Sequence, residues 1–334
     1  MSELESKDFS RQMAIIIPMY NEERNIARLL NILIPQLESG KHSLIVVDDG
    51  SSDSSFSIVS EYKTIKCLTQ KNGGPGKARN YGVRKSHGEY LLFLDADMMP
   101  RENFLAECES VLLNNQVENL GGIGISLVSP EPKSNFETSI RRFFEFTSIL
   151  TSLNQTSNEL VQVEHNPSGA VIYSREAFLS VNGYDESLRV QEDVDLDFRL
   201  TRAGFKHYFN PKLQVVHGRV PDSFKAFVSK IFSYGRGAGE LFARRGFFRK
   251  LQYVPFVTLL ITLFILVLSL IVHPQYLIFS FAIYIIFLAL VGWRYKVNSL
   301  LFVILFHLNI FCYSLGFYLG IIHIMKIQNT KRST

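Results

Sequence analysis

Short apolar segments alternate with amphipathic segments along the first part of the chain. The apolar runs predict buried strands at residues 13–18, 43–47, 64–69 and 89–94. The segments between them predict helices at residues 23–37, 52–62, 76–86 and 100–114, and the first has Ile26, Leu29 and Leu33 on one face. This alternation is typical of βαβ units and predicts an α/β, Rossmann-like fold with a mostly parallel sheet.

The chain is nearly free of charged residues after residue 250. No Asp, Glu, Lys or Arg occurs at residues 251–293 or 297–325. A membrane crossing takes about 20 apolar residues, and His273-Pro274-Gln275 interrupts the first run. The alternative, a core hairpin of a soluble domain, would normally show one polar face. We therefore predict an all-α transmembrane region at 251–325 with helices at 253–272, 276–293 and 300–322, followed by a polar tail at 326–334.

The charge distribution predicts how the chain meets the membrane. Residues 219–250 contain eight basic and two acidic residues, whereas acidic residues outnumber basic ones in residues 1–218. The positive-inside rule then places residues 1–250 on the cytoplasmic face of an integral membrane protein. The basic residues of the tail oppose this orientation, because three crossings would send them outside. The polar N-terminal residues predict no signal sequence.

Composition excludes several classes of protein. The chain has 334 residues, 47% of them hydrophobic, and a formal net charge of +4, which excludes general disorder. Cys67, Cys108 and Cys312 are far apart, which excludes a disulfide framework or a cysteine zinc site and fits a reducing compartment. The basic excess lies outside the predicted α/β domain, so no nucleic-acid partner is expected.

Two segments have the apolar spacing of amphipathic helices. The first lies in the basic segment 219–250 and carries apolar residues at positions 224, 227, 228, 231 and 232; the second is residues 135–153. Such helices bind membrane lipids at the interface when their apolar face is free. The alternative for the first segment is a helix packed only on the predicted α/β domain.

Polar segments follow the predicted strands, where parallel sheets bind ligands. Asp95 and Asp97 come directly after a buried strand and point the same way on an extended chain. Paired carboxylates there suit Mg²⁺ or Mn²⁺ and the phosphate oxygens of a substrate; the alternative is a helix-capping pair. At the second strand, Asp48 or Asp49 could accept an N–H of a nucleotide base, or form an Asx turn.

Two further segments carry candidate chemistry. Residues 73–80 form a glycine-rich turn entering a helix, where backbone N–H groups, Lys77 and Arg79 favour phosphate; the alternative is a solvated turn. Residues 192–197 hold four carboxylates interleaved with apolar residues, so we expect at least one carboxylate to approach the core. A carboxylate at a helix start that faces a cleft is a candidate general base.

Together these segments resemble family 2 glycosyltransferases of the GT-A fold. The resemblance covers residues 13–218 and rests on six sequences in order: IIPMYNE (16–22), VVDDGSSD (46–53), the stretch 72–80 ending in ARN, FLDAD (93–97), GYDE (183–186) and EDVDL (192–196). It implies a GT-A catalytic domain at 1–218, followed by an interfacial helix and the transmembrane region. The QxxRW motif of processive members is absent, and Met99 replaces the Gln of prenyl-phosphate sugar synthases.

The resemblance implies a role for each matching residue. Pro18, Tyr20 and Glu22 would line the nucleotide pocket, Asp49 would contact the base and Asp95 the ribose. Asp97 would hold a divalent metal, Mg²⁺ or Mn²⁺, on the diphosphate, with His217 nearby or only a capping histidine. Asp193 would be the general base, with Glu192 as the alternative. Arg236 could replace the missing motif at the diphosphate or the acceptor.

The expected activity is the inverting, non-processive transfer of a sugar from a nucleotide-diphosphate sugar to a membrane-held, lipid-linked acceptor. Three alternatives remain open: a prenyl-phosphate sugar synthase, a sugar nucleotidyltransferase, and a non-catalytic membrane scaffold. A nucleotidyltransferase would normally have a glycine-rich loop after its first strand, and residues 18–22 contain no glycine. The oligomeric state is not predicted.

Overall fold

The structure is a computed structural model that describes residues 12–37, 41–115, 117–150, 160–166, 169–217, 221–246, 250–271, 273–296 and 298–332. The chain divides into two compact units. The first comprises residues 1–130 and 155–218, and the second comprises residues 131–154 and 219–334. The sequence predicted one continuous domain at residues 1–218, whereas residues 131–154 belong to the second unit. The boundary residues 218–220, and residues 151–153 of the predicted second amphipathic helix, lie outside the described residues.

The first unit is built on one mixed sheet. The described residues form nine strands: β1 (Met13–Met19), β2 (Ser43–Asp48), β3 (Lys66–Thr69), β4 (Tyr90–Leu94), β5 (Met98–Met99), β6 (Leu120–Val128), β7 (Val161–Val163), β8 (Ala170–Ser174) and β9 (Lys206–His217). Their order is β3-β2-β1-β4-β8-β6-β9-β5, with β7 also paired to β9. The first four strands are parallel, as predicted. The α/β fold is confirmed, but β8, β7 and β5 pair antiparallel, so the sheet is mixed rather than mostly parallel.

Helices cover both faces of this sheet. They are α1 (Ile26–Leu33), α2 (Ser55–Ser60), α3 (Pro75–Arg84), α4 (Phe104–Asn114), α6 (Arg175–Ser180) and α7 (Glu192–Arg202). Alternate residues of a strand face opposite sides, so Ile15 packs with Leu29 and Phe104, while Ile16 packs with Phe178 and Leu196. This two-sided burial explains why the central strands are uninterrupted apolar runs.

Helix α1 begins later than the sequence pattern predicted, because side chains of the neighbouring loop hold the residues before it. Glu22 N–H donates to Ser55 Oγ at 2.7 Å, and Asn21 N–H donates to Ser51 Oγ at 2.9 Å. Asn21 also has a φ of 54°, in the left-handed region that interrupts regular structure. The end of β1 is thereby fastened to the end of β2.

The second unit is entirely helical in its described residues. It contains α5 (Asn135–Leu150), α8 (Phe224–Arg245), α9 (Val254–Ile271), α10 (Pro274–Arg294) and α11 (Ser299–Arg332). Within the described residues, Pro274–Arg294 and Leu300–Thr330 are long and apolar enough to cross a membrane by length and composition, whereas the apolar part of α9 is shorter. Two of the three predicted crossings therefore meet this criterion. Helix α11 also continues through the predicted polar tail as far as Arg332.

The two predicted amphipathic helices bury part of their apolar faces within the second unit. Ile140 and Phe143 of α5 form one cluster with Phe227 and Ile231 of α8 and with Phe302 of α11. An interfacial helix needs its apolar face free for lipid. Part of both apolar stripes is covered by the second unit itself, while Phe224 is 43% exposed. The interpretation of residues 219–250 and 135–153 as interfacial segments stays a prediction.

Helices α8 and α11 cross through small residues on both helices. A Cβ at Gly235 would overlap the backbone of Tyr313, and one at Gly239 would overlap the backbone of Phe317. The reciprocal glycine on α11, Gly316, lies equally close to the backbone of α8. The contacts advance in the same direction along both chains, so the helices run parallel. Close backbone approach of this kind is how small residues at spacing four join helices in membranes.

We expect Gly239→Leu to destabilise the second unit by more than about 3 kcal/mol, because overpacking against backbone cannot be relieved by a rotamer change. Ser229→Leu places the same side chain on an exposed position of α8 and should leave stability nearly unchanged. Thermal unfolding of the full chain in detergent, followed by circular dichroism, measures both. Equal melting temperatures for the two variants would contradict the close crossing.

Candidate active site

Three of the predicted nucleotide-site residues lie at the end of β1 or in the loop that follows it. Pro18 and Glu22 are half-buried, whereas Tyr20 is 49% exposed. Glu22 Oε2 accepts a hydrogen bond from Asn25 Nδ2 at 2.6 Å, which fixes its carboxylate against the start of α1. Tyr20 is thus the member of this set whose ring is accessible to a ligand, and an exposed aromatic ring beside a polar loop is a suitable stacking surface for a base.

Asp49, at the end of β2, is occupied by groups of its own chain. Its Oδ1 accepts from Gly73 N–H at 2.8 Å and from Gln70 Nε2 at 2.7 Å, and its Oδ2 accepts from Gly74 N–H at 2.8 Å. A carboxylate at the start of a helix offsets the helix dipole. Asp49 thus already takes the N–H groups of Gly73 and Gly74. A phosphate at this turn would depend on its remaining N–H groups and on Lys77, and this role stays a prediction. Lys77 is half-buried on the first turn of α3.

Arg79 lies inside the protein and joins two acidic segments. Its Nη2 donates to Asp95 Oδ1 at 2.7 Å and its Nη1 donates to Glu192 Oε1 at 2.9 Å. The side chain of Arg79 is only 2% exposed, and its guanidinium lies over the ring of Tyr184. Arg79 therefore does not add surface charge to the turn at residues 73–80, as the sequence suggested; it fastens the end of β4 to the start of α7.

The contacts around Arg79 shift the pKa values of Arg79, Asp95 and Glu192. Burial alone favours neutral Arg79, but Asp95 and Glu192 outweigh it and raise the pKa of the guanidinium. Burial, followed by the charge of Asp193, raises the pKa of Glu192 to about 7, although Arg79 opposes the shift. Burial also raises the pKa of Asp95 against the effect of Arg79. Glu192 is thus a buried ion-pair partner, which leaves the more accessible Asp193 as the better placed base.

Asp97 and His217 meet at one edge of the sheet. Strand β5 pairs with β9 so that Met98 lies opposite His217, and His217 Nε2 is 3.7 Å from Asp97 Oδ2. The described residues contain no group of three His, Cys, Asp or Glu side chains placed to hold one ion. The pair fits a divalent cation that takes its remaining ligands from water and from diphosphate oxygens, the usual coordination of Mg²⁺ in phosphate-transferring sites.

Behind Asp193, α7 presents a second carboxylate to a network that the sequence did not reveal. Asp197 accepts hydrogen bonds from Tyr173 Oη and Asn166 N–H, both at 2.7 Å, and its Oδ2 is 2.9 Å from His165 Nδ1. Glu192, Asp195 and Asp197 are all buried, so the expectation that a carboxylate of this segment approaches the core is confirmed. The sequence analysis missed His165, and the one feature that could have indicated it was its position shortly before strand β8.

Arg236 lies on α8 of the second unit. Its Nε donates to Glu240 Oε1, one helical turn away, at 3.2 Å, and its side chain is about half exposed. Its role at the diphosphate or acceptor stays a prediction.

The mixed α/β sheet, with acidic groups at the end of β4 and the start of α7, has the GT-A fold of glycosyltransferases that is seen in the solved structures described below. The profile of Glycosyl transferase family 2 matches residues 14–180. The chain belongs to this family of enzymes.

Named glycosyltransferases are similar to about two thirds or more of this chain. A pre-mycofactocin glycosyltransferase of Mycobacterium tuberculosis is 28% identical over 70% of this chain, and the match spans 48% of that protein. Glycosyltransferase AglE of Haloferax volcanii is 27% identical, covering 67% of this chain and 72% of its own. A Methanococcus voltae enzyme, named as a glucuronosyltransferase of a dolichyl N-acetylglucosaminyl phosphate, is 24% identical over 78% of this chain and 83% of its own. The chain thus spans about half of the mycobacterial relative.

Solved structures share the fold. The mannosyltransferase PcManGT of Pyrobaculum calidifontis, in complex with GDP-Man and Mn²⁺, has a TM-score of 0.64 at 14% identity and covers 92% of this chain and 87% of its own. TarS of S. aureus has a TM-score of 0.50 at 19% identity, over 73% of this chain and 45% of its own. At these identities the likeness supports the fold alone.

We expect Arg79→Met to destabilise the first unit by about 3–5 kcal/mol, because it leaves the buried carboxylate of Glu192 and the half-buried carboxylate of Asp95 without their partner. Arg84→Met, which removes an arginine paired with Glu186 on the exposed side of the same helix, should cost no more than about 1 kcal/mol. Unfolding of the full chain in urea measures both, and similar losses for the two variants would contradict the buried bridge.

Glu192 gives a pH-dependent contribution to stability. Its pKa in the folded protein, about 7, exceeds the ordinary value of 4.5, so the folded state binds more protons than the unfolded state between these values. The contribution therefore lowers the unfolding free energy as pH rises from about 4.5 to about 7. Glu192→Gln should remove that part of the slope, and the exposed Glu118→Gln should retain it. Unfolding midpoints at several pH values test this, and an unchanged slope in Glu192→Gln counts against it.

Proposed function

We propose that this protein is an inverting, metal-dependent glycosyltransferase that transfers one sugar from a nucleotide-diphosphate sugar to a lipid-linked acceptor at a membrane. The observation that carries the proposal is the Arg79 bridge, because it holds the segment with Asp95 and Asp97 against the segment with Glu192 and Asp193. The carboxylates proposed for the donor site, Asp95 and Asp97, and the carboxylate proposed as the base, Asp193, are thereby brought to one edge of the sheet. This is where α/β proteins bind ligands.

The donor site is assigned to the ends of β1, β2 and β4. Tyr20, with Pro18 and Glu22 beside it, would receive the nucleotide, Asp49 would shape the loop around the base, and Asp95 would lie near the ribose. Asp97 and His217 would hold Mg²⁺ or Mn²⁺. When bound, the cation would neutralise charge on the leaving diphosphate. The GDP-Man and Mn²⁺ bound by the related mannosyltransferase support this donor class.

Asp193 is assigned as the base that activates the acceptor. Its carboxylate takes the proton of the acceptor hydroxyl as that oxygen bonds to C1 of the sugar. The bond from C1 to the diphosphate breaks, and its electron pair leaves with the nucleoside diphosphate. One in-line displacement inverts the anomeric centre. Holding donor and acceptor in line can supply about 7–11 kcal/mol of the barrier reduction.

The helical unit supports a membrane-held acceptor. Helices α10 and α11 are long and apolar enough to cross a membrane, and the Methanococcus voltae relative is named for a dolichyl phosphate acceptor. We place the catalytic unit on the cytoplasmic face, following the basic residues before α9. Membership of the glycosyltransferase family favours sugar transfer over nucleotidyl transfer.

We expect the purified full chain, given Mn²⁺ or Mg²⁺ and a panel of nucleotide sugars, to release a nucleoside diphosphate from one donor class, faster when a membrane lipid extract supplies the acceptor. Asp193→Asn should lower transfer by about 10²-fold or more while donor affinity, measured by calorimetry, stays within a few-fold. Asp97→Asn should lose the metal-dependent part of donor binding. The exposed Glu118→Gln is the matched control for removing a carboxylate. Equal loss of donor affinity in Asp193→Asn would reject the assignment of the base.

A further inference from the structure

His165 lies between the proposed base and a fully buried carboxylate. Its Nδ1 is 2.9 Å from Asp197 Oδ2, and its Nε2 is 3.6 Å from Asp193 Oδ2. Both Asp193 and His165 are partly exposed, at 15% and 19% of their side chains, whereas Asp197 is at 1%. The imidazole thus connects the accessible edge of the site to the interior of the first unit.

The surroundings of Asp197 determine which nitrogen of His165 carries the proton. Tyr173 Oη and the backbone N–H of Asn166 both donate to this carboxylate. Burial alone would raise the pKa of Asp197, but the hydrogen bond from His165, the nearby His207 and the bond from Asn166 together lower it. An ionised carboxylate only accepts hydrogen bonds, so Nδ1 of His165 carries a proton and Nε2 is directed at Asp193.

Other titratable groups face the network from the elements packed around it. His207 of β9 places Nε2 at 3.2 Å from the backbone oxygen of Asp197 and Nδ1 at 3.6 Å from its Oδ1. Tyr173 of β8 contacts Asp197 through its hydroxyl, and Glu192 lies beside Asp193 on α7. Among these groups, His165 is the one placed against both acids.

We propose that His165 is a positioning residue and proton relay for Asp193, a role that rests on the function proposed above. Asp197 holds the ring in one tautomer, as a buried carboxylate does for a catalytic histidine. The acceptor hydroxyl gives its proton to Asp193, and this proton passes to Nε2 of His165, leaving the Asp193 carboxylate free and an imidazolium beside Asp197. Water takes the proton after product release. The 3.6 Å separation closes to a hydrogen bond of about 2.8 Å during the step, since catalytic contacts tighten when substrate binds.

The first test separates a relay from a purely structural residue. His165→Gln should lower kcat by about 10- to 100-fold and leave the donor KM within about three-fold. Because glutamine cannot take up the proton that Asp193 releases, the pH profile of kcat should change shape in His165→Gln. Unchanged kcat, or a reduced kcat whose pH profile has the wild-type shape, would overturn the relay.

His207→Gln is the matched control, because His207 contacts Asp197 but the structure gives it no contact with Asp193 within the described residues. It should lower the melting temperature as much as His165→Gln or more while the pH profile of kcat keeps its wild-type shape. The double variant Asp193→Asn/His165→Gln should be no slower than Asp193→Asn alone, since the relay acts through Asp193. Additive losses in the double variant would count against it.

A second measurement does not depend on activity. In the full chain labelled with ¹⁵N-histidine, the resonance lost in His165→Gln identifies His165, and its nitrogen shifts report the tautomer. We expect a proton on Nδ1 and a shift change at Nε2 in Asp193→Asn. A proton on Nε2 alone overturns the inference. If no donor is cleaved by the wild type, the proposed function fails and these spectra still decide the geometry.

Discussion

The structure of the first unit depends on one buried guanidinium, that of Arg79. Arg79 is held between Asp95, which follows a central strand, and Glu192, which begins α7. Neither carboxylate is near the other in sequence, and each would be costly to bury alone. Because a planar guanidinium offers donors in a fixed geometry, the pair of bonds sets the relative positions of the two segments as well as neutralising them.

The remaining carboxylates are the reason why we propose a cation at this site. Asp97 and Asp193 lie close in sequence to the two partners of Arg79, whose single positive charge is already paired. The diphosphate of the proposed donor would bring further negative charge to the same edge of the sheet. A divalent ion at Asp97 and His217 would relieve this repulsion, while the proton that Asp193 gains would be passed away from the reacting oxygen towards His165.

The helical unit follows a different constraint, which is close backbone approach. Glycines on α8 and α11 allow the helices to run in parallel contact, so α8 lies along the apolar helix α11. One charged group of α8 is paired locally: Glu240 accepts from Arg236 and lies 4.0 Å from His323 of α11. Paired charges are what a helix needs when it lies beside apolar, membrane-type segments.

Local sequence was sufficient for the first four strands, for the helices between them and for the family resemblance, because apolar periodicity and the order of short acidic segments are properties of the chain itself. It did not predict β5 to β9, three of which pair antiparallel. It also indicated that a carboxylate of residues 192–197 would be buried. It could not assign Arg79 to an internal bridge or Asp49 to the glycine turn, since each partner is distant in sequence. His165 gained a candidate role only when β7, β8 and α7 came together. The amphipathic segments show the same limit: a periodic pattern shows that a face needs covering, and only tertiary packing showed that α5, α8 and α11 cover part of it.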